Sequence, residues 1–577
     1  MNAKRSTYSI FWLVLEGIAV GIIVFGIIYG YGPLIVTNDK WIMSGYDESD
    51  IILDYAGWSL FRNSPWHCPL GLADNMDDGM YISFTDSMPW VAIFFKLALQ
   101  TIHYNGTFQY WGIYELLCYI LQAVATGLLI RRKTSRHFLI LACMVLLCFS
   151  PILMERALRH TSLSSQWLIL FALYAYLKFR DRQCRGFPVS FAILALLAVG
   201  IHPYFLPLIL VFSLLSLLSC IYRKTDVLKN LCWFAVSVLL PVIGGYLLGA
   251  LGTGVNASRG GYGFYSMNLN AILNPTSAGG YVWSNFFKVH PQILGNYDGF
   301  NYLGLGYLFL ISLAALSFFI VQIRWTRYMI YDTASYAFIA IGMVAFAISN
   351  VVTFNDKVLA TITIPEVLAK FCGIFRASSR FFYFTYYSLV IFSLYKIFDV
   401  MMNLKLAGDK GKAHALSGVV STCIVIVILC LMQFADLGTV VSQKHSAMTQ
   451  KLGYHSIIDD MSLENSVRGK QLLISELGHD YYSYRVLAVL AAKNNLLTSF
   501  TIATDVEPYT EAGKGHKVMT DFINGMHSDD VVIAYRDIGY ARNLFQNEKI
   551  RSSCKYLESN GFAFIIADRD TRLSSGT

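Results

Sequence analysis

Charge is scarce in this 577-residue chain: Asp, Glu, Lys and Arg together make up 14% of it, while 55% of positions are hydrophobic. That balance excludes a soluble domain of ordinary composition, which could not hide so much apolar surface. Metal-binding cysteine patterns are also missing. None of the 11 cysteines stands in a CxxC or Cys/His spacing that zinc would need. Most of them (Cys118, Cys143, Cys148, Cys220, Cys232, Cys423, Cys430) lie in apolar runs, where a free thiol behaves as a small hydrophobe. Only Cys68, Cys372 and Cys554 fall in segments expected outside the membrane, which allows one disulfide without requiring it. No repeat of solenoid period and no low-complexity tract is present. The first apolar stretch, Tyr8 to Val36, is too long for a signal-peptide core and has no small-residue cleavage site before polar sequence, so it is expected to stay as a spanning helix.

What the chain does contain is a series of apolar runs separated by short basic loops. The net charge of +8 would suit nucleic acid if it formed one patch, but its distribution argues otherwise. Basic residues recur between runs: Lys4 and Arg5, Arg131 to Lys133 with Arg136, Lys178 to Arg185, Arg223 and Lys224, Arg324 with Arg327, and Lys405 to Lys412. This is the positive-inside pattern of cytoplasmic loops. The runs predict eleven spans, near 9–36, 109–130, 137–154, 165–178, 187–202, 204–222, 231–251, 304–323, 333–350, 381–398 and 414–434. An odd number starting inside leaves the C-terminus outside.

The run Met88 to Ile102 is short, holds Lys96 and begins next to Pro89, so it is expected as an interfacial or re-entrant helix on the outer face. The first outer loop then covers 37–108. The fold class expected is mainly α: a polytopic helical bundle over 1–435, followed by a small extracytoplasmic α/β domain over 436–577. In that C-terminal part "DDVVIAYRD" and "GFAFIIADRD" read as buried strands beside a helical "RVLAVLAAKNN".

Three groups of residues on the outer side carry chemistry. In "SGYDESDIILDYAGW", Asp47 follows the exit from the first span and stands among Glu48, Asp50 and Asp54, with Asp74 further on. A carboxylate at that boundary can act as a general base or hold a divalent cation, and partial burial among acids raises its pKa. A solvated acidic loop is the ordinary alternative. In "PILMERALRHTSLSSQW", Glu155 is followed by Arg156, Arg159 and His160, which a helix would bring to one face. Two guanidiniums and an imidazole suit a phosphate, the alternative being snorkelling to lipid headgroups. In "CGIFRASSRFFYF", Arg376 and Arg380 are four apart, hence on one face of a helix, and such a pair entering the membrane is costly unless it meets an anion. Asp86 in "FTDSMPW" is an N-cap or a ligand, His202 could be only part of a helix stop, and Asp298 precedes the eighth span.

This layout resembles the GT-C superfamily of polytopic glycosyltransferases. More closely, "FTDSMP", "RALRHTSLSSQW", "YDGFNYLGLG" and "FRASSRFF" look like signature stretches of an uncharacterised bacterial membrane-protein family thought to be GT-C-like. The resemblance implies a hexosyltransferase of the bacterial plasma membrane, N-terminus cytoplasmic, moving a sugar from a polyprenyl-phosphate donor to an extracytoplasmic glycan or lipid acceptor. Asp47 would match the first-loop catalytic aspartate and Glu155 the second-loop acid, with Mg²⁺ or Mn²⁺ as the metal those two would hold. Glu155 stands alone where many such enzymes carry an acidic pair. Arg156, Arg159, His160, Arg376, Arg380 and Asp86 are the expected substrate-binding residues. Two other classes fit the composition: a transporter or flippase, with Glu16 and Glu115 as its nearest intramembrane acids, and a non-catalytic protein of cell-envelope glycan assembly.

Overall fold

The computed structural model describes residues 9–46, 50–76, 79–184, 188–252, 261–277, 279–318, 326–403, 412–503, 513–524 and 530–567. The protein is mainly helical, at 62%, with a few small sheets. Among the described residues, seven segments are long and apolar enough to cross a membrane: Ile10–Tyr29, Trp111–Ile130, Phe205–Arg223, Val227–Leu247, Arg327–Ile348, Ser378–Val400 and Gly418–Lys451. Shorter apolar helices run over His137–Cys148, Ser190–Ile201 and Leu305–Ser317. The expected span near 165–178 falls on the helix Trp167–Asp181.

Several of these helices leave large apolar side chains uncovered, such as Phe338 at 79% and Leu228 at 74% exposure. Surface of that kind on consecutive turns needs lipid rather than water around it, and a helix satisfies its own backbone there. The protein is therefore a membrane protein. The run expected from Met88 to Ile102 forms the helix Pro89–Thr101. The helix expected over 137–154 breaks after Cys148 and restarts as Pro151–Arg156, with Pro151 in the first turn, where its missing N–H leaves no bond unmade.

The chain divides into two compact units. One comprises residues 1–34, 111–241 and 255–449. In it the Ile10–Tyr29 and Trp111–Ile130 helices pack closely because Gly17 and Gly21, four apart, leave room. A Cβ on Gly21 would lie 2.7 Å from the Ile120 Cα, and one on Gly17 would lie 2.5 Å from the Val124 Cγ2. Small residues at this spacing let helix backbones approach where lipid provides no hydrophobic drive. A short antiparallel hairpin, Val351–Phe354 with Lys357–Thr361, follows the Arg327–Ile348 helix.

The other unit comprises residues 35–110, 242–254 and 450–577. It holds a five-stranded sheet in the order Leu497–Thr498, Leu472–Ile474, Val531–Tyr535, Phe562–Ala567, Cys554–Ser559. The first three strands are parallel, and Phe562–Ala567 pairs antiparallel with both of its neighbours, Val531–Tyr535 and Cys554–Ser559. Val531–Tyr535 and Phe562–Ala567 are buried at every position, as a sheet covered on both faces requires. The helix Asp50–Asn63 packs on Tyr481–Lys493, tied by Arg485 to Asp50 at 2.9 Å. The segment expected as the first outer loop thus packs within the same unit as the C-terminal sheet.

Gly21→Ala is expected to lower the unfolding temperature of the detergent-solubilised protein, at a cost of about 1–3 kcal/mol from overpacking against backbone that cannot yield. Gly342→Ala on the Arg327–Ile348 helix, where an added Cβ meets nothing within 4 Å, should leave it unchanged or slightly raise it.

Candidate functional site

Four separated stretches of the first unit meet around one carboxylate, that of Asp298. It lies in the 3₁₀ turn Asn296–Gly299, just before the Leu305–Ser317 helix, and is 6% exposed. Arg156, the last residue of the Pro151–Arg156 helix and fully buried, donates from Nη1 to the Asp298 Oδ1 at 2.8 Å and from Nη2 to its main-chain oxygen at 2.7 Å. Arg380, in the 3₁₀ turn Ser378–Phe381, donates from Nη2 to the same Oδ1 at 3.2 Å. Ser379 donates to the Asp298 main-chain oxygen at 3.3 Å.

Glu155 adds a second carboxylate. Its Oε1 pairs with Arg159, and its Oε2 lies 2.9 Å from the Arg156 Nε, whose N–H is directed instead to the Tyr383 hydroxyl at 3.2 Å. The cluster therefore holds three guanidiniums against two carboxylates. Charge pairs this deep are costly to break, because each ion left alone has lost its water.

Aromatic rings form one wall. The Arg380 guanidinium stands 4.7 Å over the Tyr204 ring, and the Arg376 guanidinium stands 5.1 Å over Tyr265. Tyr204 accepts the Ala377 N–H at 3.0 Å on its hydroxyl, and its ring lies 5.3 Å from that of His202.

The electrostatics follow from this geometry. Burial alone would raise the Asp298 pKa, but the Arg156 and Arg380 charges outweigh it and hold the carboxyl well below the usual range. Burial likewise opposes the Arg156 charge, and Asp298, then Glu155, more than compensate and raise it. For His202 burial comes first and the charges of Arg380, His160 and Arg156 add to it, so its pKa is driven well below 6.5. The imidazole is thus neutral at pH 7, with Nδ1 facing the Tyr204 N–H at 3.3 Å. Three buried atoms in the cluster, the Arg380 Nε, the Asp298 Oδ2 and the Glu155 Oε2, have no hydrogen-bond partner. Buried polar atoms in that state call for a further polar group.

Among the expected site residues, Glu155, Arg156, Arg159 and Arg380 come together here, joined by Asp298. The reason for their meeting is different from the one expected. Arg156, Arg159 and His160 do not share a helical face: the helix stops at Arg156, and the chain turns through Leu158 with φ at 57°. Arg376 and Arg380 do not share one either, because the helix Glu366–Gly373 ends before them and Ser378–Phe381 is a separate turn.

Asp86 belongs to the other unit, and the N-cap of the Pro89–Thr101 helix is Met88, so Asp86 does not cap it. Asp47 lies outside the described residues. Among the described residues no group of three or more His, Cys, Asp or Glu is placed to hold a metal. Glu155, with a guanidinium at each oxygen, does not fit the role of a metal ligand. All 11 cysteines are free. Residues given little weight by sequence, Asp298 and His202, prove central, and Tyr204 and Tyr383 carried no signal beyond the general abundance of tyrosine.

A bundle of apolar helices with a buried, arginine-rich cluster at one end defines a polytopic membrane protein with a candidate anion site. The family described as Domain of unknown function (DUF6311) matches residues 18–438, and the chain belongs to it. No curated protein matches the chain.

Asp298→Asn is expected to destabilise the protein by about 3–5 kcal/mol, since it leaves Arg156 and Arg380 facing each other in a desolvated site. Acid should weaken the wild type in two steps. The His202 value lies below its ordinary 6.5 in the folded chain, so unfolded chains take up a proton first and stability falls as pH drops below 6.5. The Asp298 value lies below its ordinary 3.8, so its contribution is complete above 3.8 and is lost beneath it. Thermal unfolding across pH checks both, and His202→Gln should flatten the first decline.

Proposed function

We propose that this protein is a GT-C-like glycosyltransferase of the bacterial plasma membrane, with about eleven spans, a cytoplasmic N-terminus and an extracytoplasmic α/β domain over 436–577. It moves a sugar from a polyprenyl-phosphate donor to a glycan or lipid acceptor on the outer face. The observation that carries this reading is the Arg156–Asp298–Arg380 cluster: three guanidiniums against two carboxylates at the ends of apolar helices, with the Arg380 Nε unpartnered.

Such a cluster favours an anion whose charge grows as a bond breaks, which is what a departing lipid phosphate does. Arg380 and Arg159 with His160 bind the phosphate, and Asp298 orients the guanidiniums. Asp47 takes the acceptor hydroxyl proton as general base, in keeping with the resemblance in its sequence. The attack inverts the anomeric carbon: the acceptor C–O bond forms, the C–O bond to phosphate breaks, and polyprenyl phosphate leaves.

A transporter or flippase for a lipid-linked glycan draws on a different observation. Glu115 is fully buried within the Trp111–Ile130 span, where its Oε2 accepts the Leu158 N–H at 3.3 Å.

Purified protein incubated with a panel of polyprenyl-phosphate sugars and acceptors separates the two, since only the transferase releases polyprenyl phosphate. Arg380→Ala is expected to lower kcat by about 100-fold or more, the scale of losing one charge-stabilising donor. Asp47→Asn should abolish transfer while donor binding persists. Undiminished product from either variant removes that residue from the mechanism, and no released polyprenyl phosphate from any donor removes the transferase reading.

A further inference from the structure

The same bundle carries a second cationic site at the opposite end of its helices. The helices Trp167–Asp181, Phe205–Arg223, Arg327–Ile348 and Phe382–Asn403 pack against one another. The Arg156 cluster lies before the first two, after the third and at the start of the fourth. Arg180 and Arg223 lie at the far ends of the first two, and Asp332 lies near the start of the third. The Phe205–Arg223 helix, at 19 residues, separates the two ends by about 28 Å, close to the thickness of a bilayer core.

A cavity of about 870 Å³ opens there, lined by Arg180, Arg223 and Asp332 on its polar side and by Tyr336, Ala337 and Phe392 among its apolar walls. Asp332 is 3% exposed and is already matched: Arg223 donates to both its oxygens, at 2.9 and 2.5 Å, and the Ser219 hydroxyl donates at 2.9 Å. Arg180 has no carboxylate partner among the described residues, and its guanidinium stands 5.9 Å over the Tyr176 ring. The cavity thus has one cation beyond its anion.

Two features say what fits it. Next to lining residues in the chain, Lys178, Arg182, Lys224 and Arg327 are exposed, unlike Arg156 and Arg159 of the other end, a basic fringe of the kind that marks a cytoplasmic face. Further along the Arg327–Ile348 helix, Phe338 and Ile341 are 79% and 68% exposed, so the neighbouring surface is greasy. Basic pockets between spanning helices on the cytoplasmic side suit anionic headgroups.

We propose that this cavity binds an anionic phospholipid of the inner leaflet, the phosphodiester on Arg180 and Arg223 and the start of an acyl chain along Tyr336, Ala337 and Phe392. The site is independent of the transferase reading. The proposal is tested by native mass spectrometry of the purified full-length protein with phosphatidylglycerol or with phosphatidylcholine of the same chains. A parallel arm offers inorganic phosphate.

Phosphatidylglycerol should be retained in preference, and Arg180→Gln should weaken it about tenfold or more, the scale of one charge-assisted hydrogen bond. Ala337→Trp, which fills the apolar side from an exposed position, should weaken it without lowering the unfolding temperature. Equal retention of both lipids overturns the proposal, as does phosphatidylglycerol retention unchanged in both variants. Binding of inorganic phosphate with no lipid preference assigns the site to a free anion and overturns it equally.

Discussion

A guanidinium held away from water must have a partner, and the helical unit of this protein is arranged around that requirement. Asp298 meets it for Arg156 and Arg380 at once, and so holds together the end of one helix, the turn before another and the entry to a third. The contrast with an exposed pair sets the scale. Lys370 and Glu366, 71% and 80% exposed, contribute about 0–1 kcal/mol, whereas one partner lost from a buried pair costs several times as much. The Asp298 junction therefore fixes the positions of the very groups that would meet a ligand.

The same device recurs with different chemistry. Asp332 neutralises Arg223 at the far end of the bundle. Asp436, fully buried in the Lys412–Lys451 helix, makes no ion pair among the described residues. It accepts from the Tyr302 hydroxyl at 2.6 Å, from Ser284 at 2.5 Å and from the Leu305 N–H at 2.9 Å, satisfying a donor that the start of the Leu305–Ser317 helix leaves open. Gln433, one turn earlier, takes the Gly306 N–H at 3.0 Å. In a chain with few acids, each of these three ties together parts of the sequence that composition alone leaves unconnected.

Much of the secondary structure could be read in advance because it rests on local pattern. Long apolar runs became helices, and "VVIAY" and "FAFIIA" became strands because their β-branched and aromatic content suits a sheet buried on both faces. Where local pattern was weak, the reading fell short. The Lys412–Lys451 helix continues far beyond position 434 through a more polar stretch that a hydropathy reading does not register. The hairpin at 351–361 turns at Asn355, whose φ of 52° suits asparagine, yet its strands sit among apolar runs that masked the signal.

For the candidate site, sequence supplied the ingredients: arginines and a glutamate in runs too apolar to keep charge casually. It determined the membrane character, the helical class and which charged residues the candidate site could draw on, since hydropathy and charge act over a few neighbouring positions. The tertiary structure decided which charges meet. Arg156 lies 142 residues from Asp298 and Arg380 lies 82 from it, and nothing in either local segment encodes the other. Coulombic attraction depends on distance in space and on burial, and both exist only once the helices have packed.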